Sequence, residues 1–214
     1  MYVELVDALR CVRAHPGGAA DTWLVALTRR SEGRCMVDGV LGCPVCRAEY
    51  EVAGGVADFG GERTPAAVRG GGGEGDALRL AAYLNLATPG AIVAVGGAWD
   101  LALDGLADLA DVRALAVEPA HPFAPREPLG AVVGAALPVA AGSLRGVALD
   151  AATATPDRLT AAVRALRPGG RLVAPAGAAV PEGVRELARD AAHWVAERVG
   201  GREAPPALVA LRRR

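Results

Sequence analysis

Short apolar runs that alternate with helical segments are the feature of this 214-residue chain that most constrains its fold. The runs AIVAV, ALAV and RGVALD have the length and composition of strands that are buried on both faces. Around them, DALRLAAYLNLA, LALDGLADLADV and TPDRLTAAVRAL carry apolar residues at helical spacing. Such alternation predicts a doubly wound, mainly parallel, Rossmann-like α/β sheet over residues 76–214.

The C-terminal half of this region gives more detailed expectations. Thr155 is a predicted helix N-cap with Pro156 at the first helical position, and RPGG is predicted to end that helix before the strand RLVAPAG. PEGVRELARDAA repeats the helical spacing and is predicted to be a helix. HWVAERV and ALVALRRR are predicted to form a closing pair of strands.

Composition restricts the partners and the compartment. A net charge of −1 gives no global positive field for nucleic acid or an anionic membrane. The longest uncharged run, residues 80–99, contains Asn85 and Pro89, which favours a helix followed by a strand over a membrane span. The start, MYVELVDALR, lacks the basic and apolar parts of a signal peptide. We therefore expect a cytoplasmic protein without a membrane partner.

The cysteines mark a separate N-terminal module. All four lie before residue 47, and the glycine-rich GGERTPAAVRGGGGEGD follows them. This glycine-rich run lacks the lysine and hydroxyl of a phosphate-binding loop, so it is interpreted as a linker. The predicted organisation is a β-rich module over residues 1–60, a linker over 61–75 and the α/β domain over 76–214.

A structural zinc site is predicted within the module. Cys43 and Cys46 form a Cys-x-x-Cys pair, which can hold zinc from a tight knuckle, and structural zinc takes four ligands. Cys11 is the third candidate. The fourth is His15 or Cys35, and His15 is favoured because Cys35 lies in a strand-like segment that would aim its side chain by sheet geometry. A redox-active Cys-x-x-Cys is the less favoured alternative, because the module is too short for a thioredoxin-like unit.

The strand pattern of the module leads to a family resemblance. TWLVALTRR, RCMVDGVLG and AEYEVAGGVADF read as short strands separated by turn residues. LVDALRC and GVLGCPVCRAEYEVAGGVADF together resemble the small zinc-ribbon family that activates RNA and protein methyltransferases as separate subunits. The resemblance covers about the first sixty residues and departs from the family in pairing Cys11 with His15.

The segment AIVAVGGAWD looks like a strand that runs into a cofactor turn. Gly96 and Gly97 stand in the turn, and Glu118 follows the second predicted strand, 22 residues after Gly96. A carboxylate at that place can accept hydrogen bonds from both ribose hydroxyls of an adenosine. The alternative is that Glu118 only ends a strand at the surface.

The second half of the chain resembles class I S-adenosylmethionine-dependent methyltransferases, through LPVAAGSLRGVALD and AAVRALRPGGRLVAPAG. The resemblance covers residues 76–214. It implies S-adenosylmethionine as the cofactor, with Gly96 and Gly97 at the cofactor loop, Glu118 at the ribose, and Ala135 or Ala136 where the family often has an acidic residue for the adenine amine.

The same resemblance shows departures that weaken the cofactor site. Ala98, Trp99 and Asp100 add side chains where the family has space, and Ala94 replaces a common carboxylate. These departures favour a divergent methyltransferase-like protein with a fused zinc ribbon in which cofactor binding is weakened or lost. If Trp99 or Asp100 fills the cofactor volume, the loss of binding is explained.

Three other functions stay open at this point. The chain is an active methyltransferase of unknown substrate, a non-catalytic scaffold that binds a protein partner through the ribbon or a sheet edge, or, less favoured, a nicotinamide-dependent oxidoreductase. Asp150 is the one placed candidate for a catalytic acid or base, although capping of the next loop is the simpler role. The arginines of VALRRR leave RNA open as a partner.

Overall fold

One sheet of eleven strands runs through the part of the chain that the computed structural model describes, residues 1–15, 21–60, 74–87 and 89–200. The strands are β1 (Val25–Glu32), β2 (Cys35–Gly42), β3 (Glu49–Ala53), β4 (Val56–Asp58), β5 (Ala91–Gly96), β6 (Val112–Val117), β7 (Leu129–Val133), β8 (Leu144–Ala148), β9 (Leu166–Pro175), β10 (Val184–Arg189) and β11 (His193–Arg198). The α-helices are α1 (Glu74–Leu84), α2 (Leu103–Leu109) and α3 (Pro156–Ala165), and 3-10 helices cover Val3–Ala8 and Gly97–Ala102.

The central strands confirm the doubly wound, Rossmann-like sheet. The sheet order is β1-β2-β3-β4-β7-β6-β5-β8-β9-β11-β10, and the five strands from β7 to β9 are parallel. From β5 the chain moves outward to β6 and β7, then returns to the other side of β5 for β8 and β9. The order therefore reverses between β5 and β8, which creates a switch point at the carboxyl ends of these strands.

The predicted β-rich region at the N-terminus is also confirmed, and its strands extend the central sheet. β1 to β4 form antiparallel neighbours, and β4 then pairs with β7 in parallel, with Val56 opposite Ala131. Backbone hydrogen bonds thus join the cysteine-containing region directly to the α/β region. The proposed domain boundaries stay a prediction, since residues 61–73 of the linker lie outside the described residues.

Most of the helices and strands that local sequence patterns predict are present in the structure. The uncharged run over 80–99 is the end of α1 followed by β5, and β6 and β8 coincide with ALAV and RGVALD. Thr155 caps α3: its hydroxyl accepts a hydrogen bond from the Arg158 backbone N–H at 3.3 Å. ALVALRRR lies outside the described residues, but the pairing predicted between it and HWVAERV is wrong, because β9 and β10 occupy both edges of β11.

Two further predictions in the C-terminal half are wrong. PEGVRELARDAA contains the strand β10, which pairs antiparallel with β11, instead of a helix. RPGG lies inside β9 and does not separate a helix from a strand, because α3 ends at Ala165 and β9 begins at Leu166. Helix propensity is a weak preference, and the backbone partners that β11 offers override it for β10.

Strict alternation of strand and helix is wrong between β6 and β8, because residues 118–143 form no helix. The N-terminal 3-10 helix covers this face of the sheet instead. A Cβ added at Gly130 of β7 would come within 2.7 Å of the Met1 sulfur and 2.9 Å of Leu5. The Tyr2 N–H also donates to the Leu129 carbonyl at 3.0 Å. A segment from the start of the chain therefore takes the place of a crossover helix.

Two apolar clusters cover the two faces of the sheet. One cluster joins the N-terminal segment and α3 to the sheet, and the other joins α1 and α2. Within the described residues no helix is both long enough and apolar enough to cross a bilayer.

Candidate functional site

Three thiols and one imidazole meet in the N-terminal region. The ligand atoms of Cys11, His15, Cys43 and Cys46 all lie within 4.8 Å of one another. The Cys11 and Cys46 sulfurs are 3.6 Å apart, and the His15 Nε2 lies 3.2 Å from the Cys43 sulfur. The structure thus brings together all four side chains that the sequence put forward as metal ligands. Three sulfurs and one imidazole nitrogen are a set of donors that suits tetrahedral zinc.

The Cys-x-x-Cys pair lies in a tight turn between β2 and β3. The turn closes through two backbone hydrogen bonds, from Cys43 N–H to the Ala48 carbonyl at 2.8 Å and from Arg47 N–H to the Cys43 carbonyl at 3.0 Å. Arg47 takes a left-handed backbone conformation, with φ of 59°. This turn fixes the two sulfurs on one side of the chain, as a zinc knuckle requires.

The environment of the cluster favours thiolate at Cys43. Burial opposes ionisation, but hydrogen bonds from the backbone of Cys46 and Val45 and from the side chains of Cys46 and His15 outweigh it. Together they lower the pKa of the Cys43 thiol to about 6. Since the thiolate is the form that binds metal, the backbone of the turn prepares this residue as a ligand.

Tyr50 and Thr22 contact Cys11 and His15, the two ligands that precede the Cys-x-x-Cys pair. The Tyr50 hydroxyl lies 3.0 Å from the Cys11 sulfur and accepts a hydrogen bond from the Val12 N–H at 3.2 Å. Burial and the contact with Cys11 raise the pKa of Tyr50 to about 12, so the phenol keeps its proton at neutral pH. The Thr22 hydroxyl lies 3.2 Å from the His15 Nδ1 and orients the ring so that Nε2 faces the sulfurs.

Cys35, the alternative fourth ligand, lies outside the Cys/His cluster. It is the first residue of β2, is 1% exposed and packs in the core beside the N-terminal segment, with an isolated bridge to Tyr2. It is not among the four residues whose ligand atoms converge. Sheet geometry directs its side chain away from the turn, the same argument by which strand alternation favours His15 as the ligand.

At the switch point, the glycine turn after β5 is filled by a side chain of the chain itself. A Cβ added at Gly97 would overlap the carboxylate of Asp150, which follows β8. At Gly96, an added Cβ would lie 2.6 Å from the Thr153 hydroxyl and 2.8 Å from Leu149. Both glycines are therefore required for the close approach of the residues that follow β8.

The Asp150 carboxylate caps two turns, the glycine turn after β5 and the turn after β8. Its carboxylate accepts hydrogen bonds from the backbone N–H groups of Ala98 at 3.0 Å, Ala152 at 3.1 Å and Thr153 at 2.9 Å. The Thr153 hydroxyl donates to the same carboxylate at 2.7 Å. Four donors occupy this carboxylate, so the capping role describes Asp150 better than a role as acid or base.

The two bulky residues of the turn point to other partners. Asp100 accepts hydrogen bonds from the backbone N–H and the ring Nδ1 of His121, both at 2.8 Å. Trp99 is 8% exposed and packs against His193 at 5.3 Å between ring centroids. Trp99 lines a cleft of about 160 Å³ next to Asp150, which is smaller than the roughly 300–1,000 Å³ typical of ligand pockets.

Glu118, the predicted ribose ligand, is buried in a left-handed conformation with φ of 49° and 8% exposure. Its Oε1 accepts a hydrogen bond from the Gly134 N–H at 2.5 Å and lies 3.7 Å from Nη2 of Arg158. The same guanidinium nitrogen donates to the Gly134 carbonyl at 2.9 Å. The position is thus neither a surface strand end nor an open ribose site, because the chain supplies its own partners.

Arg158 is the residue that reasoning from the sequence missed. It lies in the first turns of α3, is 6% exposed, and burial lowers the pKa of its guanidinium while Glu118 and Asp150 act in the opposite direction. In sequence it is one of several arginines on an amphipathic helix. No local signal distinguishes it, because its burial depends on residues that are 8 to 40 positions away.

The fold and the site define a Rossmann-like protein with a Cys/His cluster and a filled cofactor turn. No family model matches the chain, and no curated protein matches it at a significant level. Several solved structures that match part of it are methyltransferases.

The geranyl diphosphate C-methyltransferase from Streptomyces coelicolor A3(2), solved with S-adenosyl-L-homocysteine, is 15% identical with a TM-score of 0.38, over 47% of this chain and 42% of that chain. The antibiotic-resistance methyltransferase Kmr is 19% identical with a TM-score of 0.37, over 64% of this chain and 98% of that chain. The chain spans less than half the length of the geranyl diphosphate methyltransferases that it matches. Because these TM-scores are low, the fold is assigned from the strand order of the sheet and not from the likeness to these structures.

Proposed function

We propose that this protein is a divergent class I methyltransferase-like protein with a zinc ribbon built into its sheet, in which binding of S-adenosylmethionine is weakened or lost. The observation that carries the proposal is the Asp150 carboxylate beside Gly97. In a cofactor turn, glycines give the backbone room to approach the ligand. Here the room is taken by a side chain of the same chain.

The ribose side supports the same conclusion. A ligand hydroxyl at Glu118 would compete with the Gly134 N–H and with Arg158 for the carboxylate. Displacing these partners would leave the buried guanidinium without its nearest carboxylate, and an unpaired buried charge is strongly destabilising. Ala135 and Ala136 offer no carboxylate for an adenine amine.

Zinc is the cofactor that the described residues fit best. Cys11, His15, Cys43 and Cys46 would hold it, and the metal would cross-link the N-terminal segment to the turn between β2 and β3. Four protein ligands would complete the tetrahedral shell that zinc prefers, so its role would be structural. A closed shell leaves no position for a water or a substrate.

Calorimetry of the zinc-loaded protein with S-adenosylmethionine and S-adenosylhomocysteine tests the proposal. We expect no saturable binding of either ligand up to millimolar concentration. One-site binding in the micromolar range would overturn the proposal and favour the active methyltransferase, which a methyl-transfer assay would then examine. Titration with reduced nicotinamide cofactor, followed by its fluorescence, tests the oxidoreductase alternative in the same way.

A second candidate function, a scaffold that binds a protein partner, is favoured by the first strand. β1 is the end strand of the sheet and is exposed along its whole length. Trp23 is 60% exposed and Leu27 is 65% exposed. An exposed apolar edge of this kind accepts an extended segment of another protein by strand addition.

Variants at the two ends of the sheet test the scaffold. Leu27→Lys on β1 should abolish co-purification of a partner. Leu187→Lys is the matched control, since Leu187 is 41% exposed on β10 at the opposite end of the sheet. Equal recovery of the partner with both variants, or no partner with the wild-type chain, would contradict a docking role for β1.

A further inference from the structure

A cavity of about 320 Å³ lies between the Cys/His cluster and α3. It is separate from the glycine turn: none of the residues that line it belongs to Gly96–Asp100 or is Asp150. One wall is apolar and formed by residues 135–138, and Cys11 and His15 stand at the opposite side. The cavity therefore exists only where the N-terminal region packs on the sheet.

Arginine dominates the polar lining of this cavity. Arg10, Arg13, Arg158 and Arg164 face two carboxylates, Asp21 and Asp157. Asp21 is already paired, with its Oδ1 2.6 Å from Nη1 of Arg164. Arg158 has its own carboxylate partner in Glu118, which does not line the cavity, so the positive charge of the lining comes from Arg10 and Arg13.

Two of these arginines are held by backbone carbonyls. Arg10 donates to the Asp7 and Leu9 carbonyls, and Arg158 donates to the Gly134 and Thr153 carbonyls. A carbonyl orients a guanidinium group without neutralising its charge. Within the described residues Arg10 has no carboxylate partner, so its positive charge is available to a ligand with acceptor oxygens.

We infer that this cavity binds a small organic oxyanion, a phosphate or carboxylate carried on an apolar group. Guanidinium groups recognise both oxyanions through paired N–H donors. The apolar wall accommodates the rest of the ligand. The volume is at the lower end of the range of about 300–1,000 Å³ for small-molecule sites, so it exceeds what inorganic phosphate needs. The wall includes Ala135 and Ala136, the positions that the methyltransferase resemblance puts at the adenine, so the inference rests on the proposed weakening or loss of S-adenosylmethionine binding.

Calorimetry of the zinc-loaded full chain in phosphate-free buffer at low salt tests the inference. Three probes are used: phenyl phosphate, benzoate and inorganic phosphate. Saturable one-site binding of phenyl phosphate or benzoate is expected, at least tenfold tighter than that of inorganic phosphate. The stronger of the two aromatic probes identifies the oxyanion. Absence of saturable binding for all three probes overturns the inference, whatever the result with S-adenosylmethionine.

Charge-matched variants separate this site from general attraction of anions. Arg10→Gln is expected to weaken binding of the preferred probe at least tenfold. Arg185→Gln, an exposed arginine on β10 away from the cavity, should change it less than twofold. An equal loss in both variants would show non-specific attraction and overturn the inference.

Arg13→Gln keeps the test valid if the Arg10 variant does not fold. Arg13 is exposed and also lines the cavity, so its replacement leaves the fold intact. We expect a loss of affinity of about threefold or more. Unchanged binding in the folded Arg13 and Arg10 variants together would overturn the inference.

Discussion

Asp150 joins the ends of two neighbouring parallel strands, β5 and β8, through a single carboxylate. It caps the turn after β5 through Ala98 and the turn after β8 through Ala152 and Thr153. Gly97 makes this possible because it has no side chain in the space that the carboxylate takes. The glycine turn of a nucleotide-binding fold is thus kept here for the chain's own packing.

Replacing Asp150 by alanine should destabilise the protein by about 1–3 kcal/mol, because three backbone donors and one hydroxyl lose their acceptor. Urea unfolding of wild type and variant measures the difference. Asp150→Asn keeps one carbonyl oxygen and should lie between the two. Asp108→Ala on the exposed side of α2 is the control and should change stability by less than about 0.5 kcal/mol. An Asp150→Ala variant as stable as the control would contradict the capping role.

His193 gives a prediction on pH. Burial lowers its pKa below 6.5; Asp190 opposes this shift, whereas Arg79 adds to it. The unfolded chain therefore binds the proton more readily, and stability should fall as the pH drops from about 7 through the range below 6.5. Denaturant unfolding at several pH values should show a weaker dependence in His193→Gln. If wild type and variant lose stability equally, His193 is not responsible.

At the scale of the element, α3 shows how a local signal fixes a helix start. Thr155 and Pro156 mark the N-terminus in the sequence, and the hydroxyl of Thr155 accepts from the Arg158 N–H in the structure. The same helix turn presents the buried side chain of Arg158 to Glu118 and Gly134. The residue at which the helix starts thus also positions Arg158 for its ion pair with Glu118.

Thr155→Ala should cost about 1 kcal/mol of stability, the usual effect of losing an N-cap oxygen. Thr155→Ser keeps the hydroxyl and should restore most of the stability. Thermal and urea unfolding measure both variants. A serine variant that is as unstable as the alanine variant would mean that the threonine methyl group, and not the hydrogen bond, matters.

β10 shows the limit of local reasoning at this scale. Its sequence has helical spacing and good helix formers, yet the segment is an edge strand with five of its six residues exposed. The preference for helix over strand amounts to a few tenths of a kcal/mol per residue, which a ladder of hydrogen bonds to β11 exceeds. That ladder depends on the position of β9 in the sheet.

For the whole molecule, the decisive feature is that the Cys/His cluster and the Rossmann-like region share one sheet. β4 pairs with β7, and bridges join Leu9 to Val139 and Arg10 to Trp23. The N-terminal segment also covers the face of β6 and β7 that has no helix. Loss of the cluster should therefore lower the stability of the whole sheet.

Removal of zinc should lower the temperature of a single cooperative unfolding transition for the whole chain, because the sheet continues without a break from the cysteine-containing strands into the Rossmann-like region. Calorimetry with and without a chelator measures this. Two separate transitions, of which only the lower responds to the chelator, would indicate an independent ribbon instead.

Elemental analysis of two cysteine variants checks the ligand set. Wild type and Cys35→Ala should contain about one zinc per chain, since Cys35 is outside the cluster. Cys46→Ser should lose most of the metal and reproduce the effect of the chelator. Retention of zinc in Cys46→Ser together with its loss in Cys35→Ala would reverse the assignment of the ligands.

Features that depend on near neighbours along the chain can be predicted from the amino-acid sequence. The spacing of Cys43 and Cys46, the apolar run of β5 and the cap of α3 are local, and their structures follow from backbone geometry within a few residues. The choice of His15 over Cys35 followed from strand alternation, and the structure places both residues as expected. The departures at Ala98, Trp99 and Asp100 were visible in the sequence as well.

The side chain that fills the glycine turn after β5 cannot be predicted from local sequence and depends on the strand order. The sequence pointed to Trp99 and Asp100, but Asp100 binds His121 and Trp99 packs on His193, while Asp150 lies against Gly97 and Arg158 pairs with Glu118. These contacts join residues 21 to 94 positions apart. Their partners are set by the strand order, which brings β5, β6 and β8 together at one edge, and no local pattern of residues encodes that order.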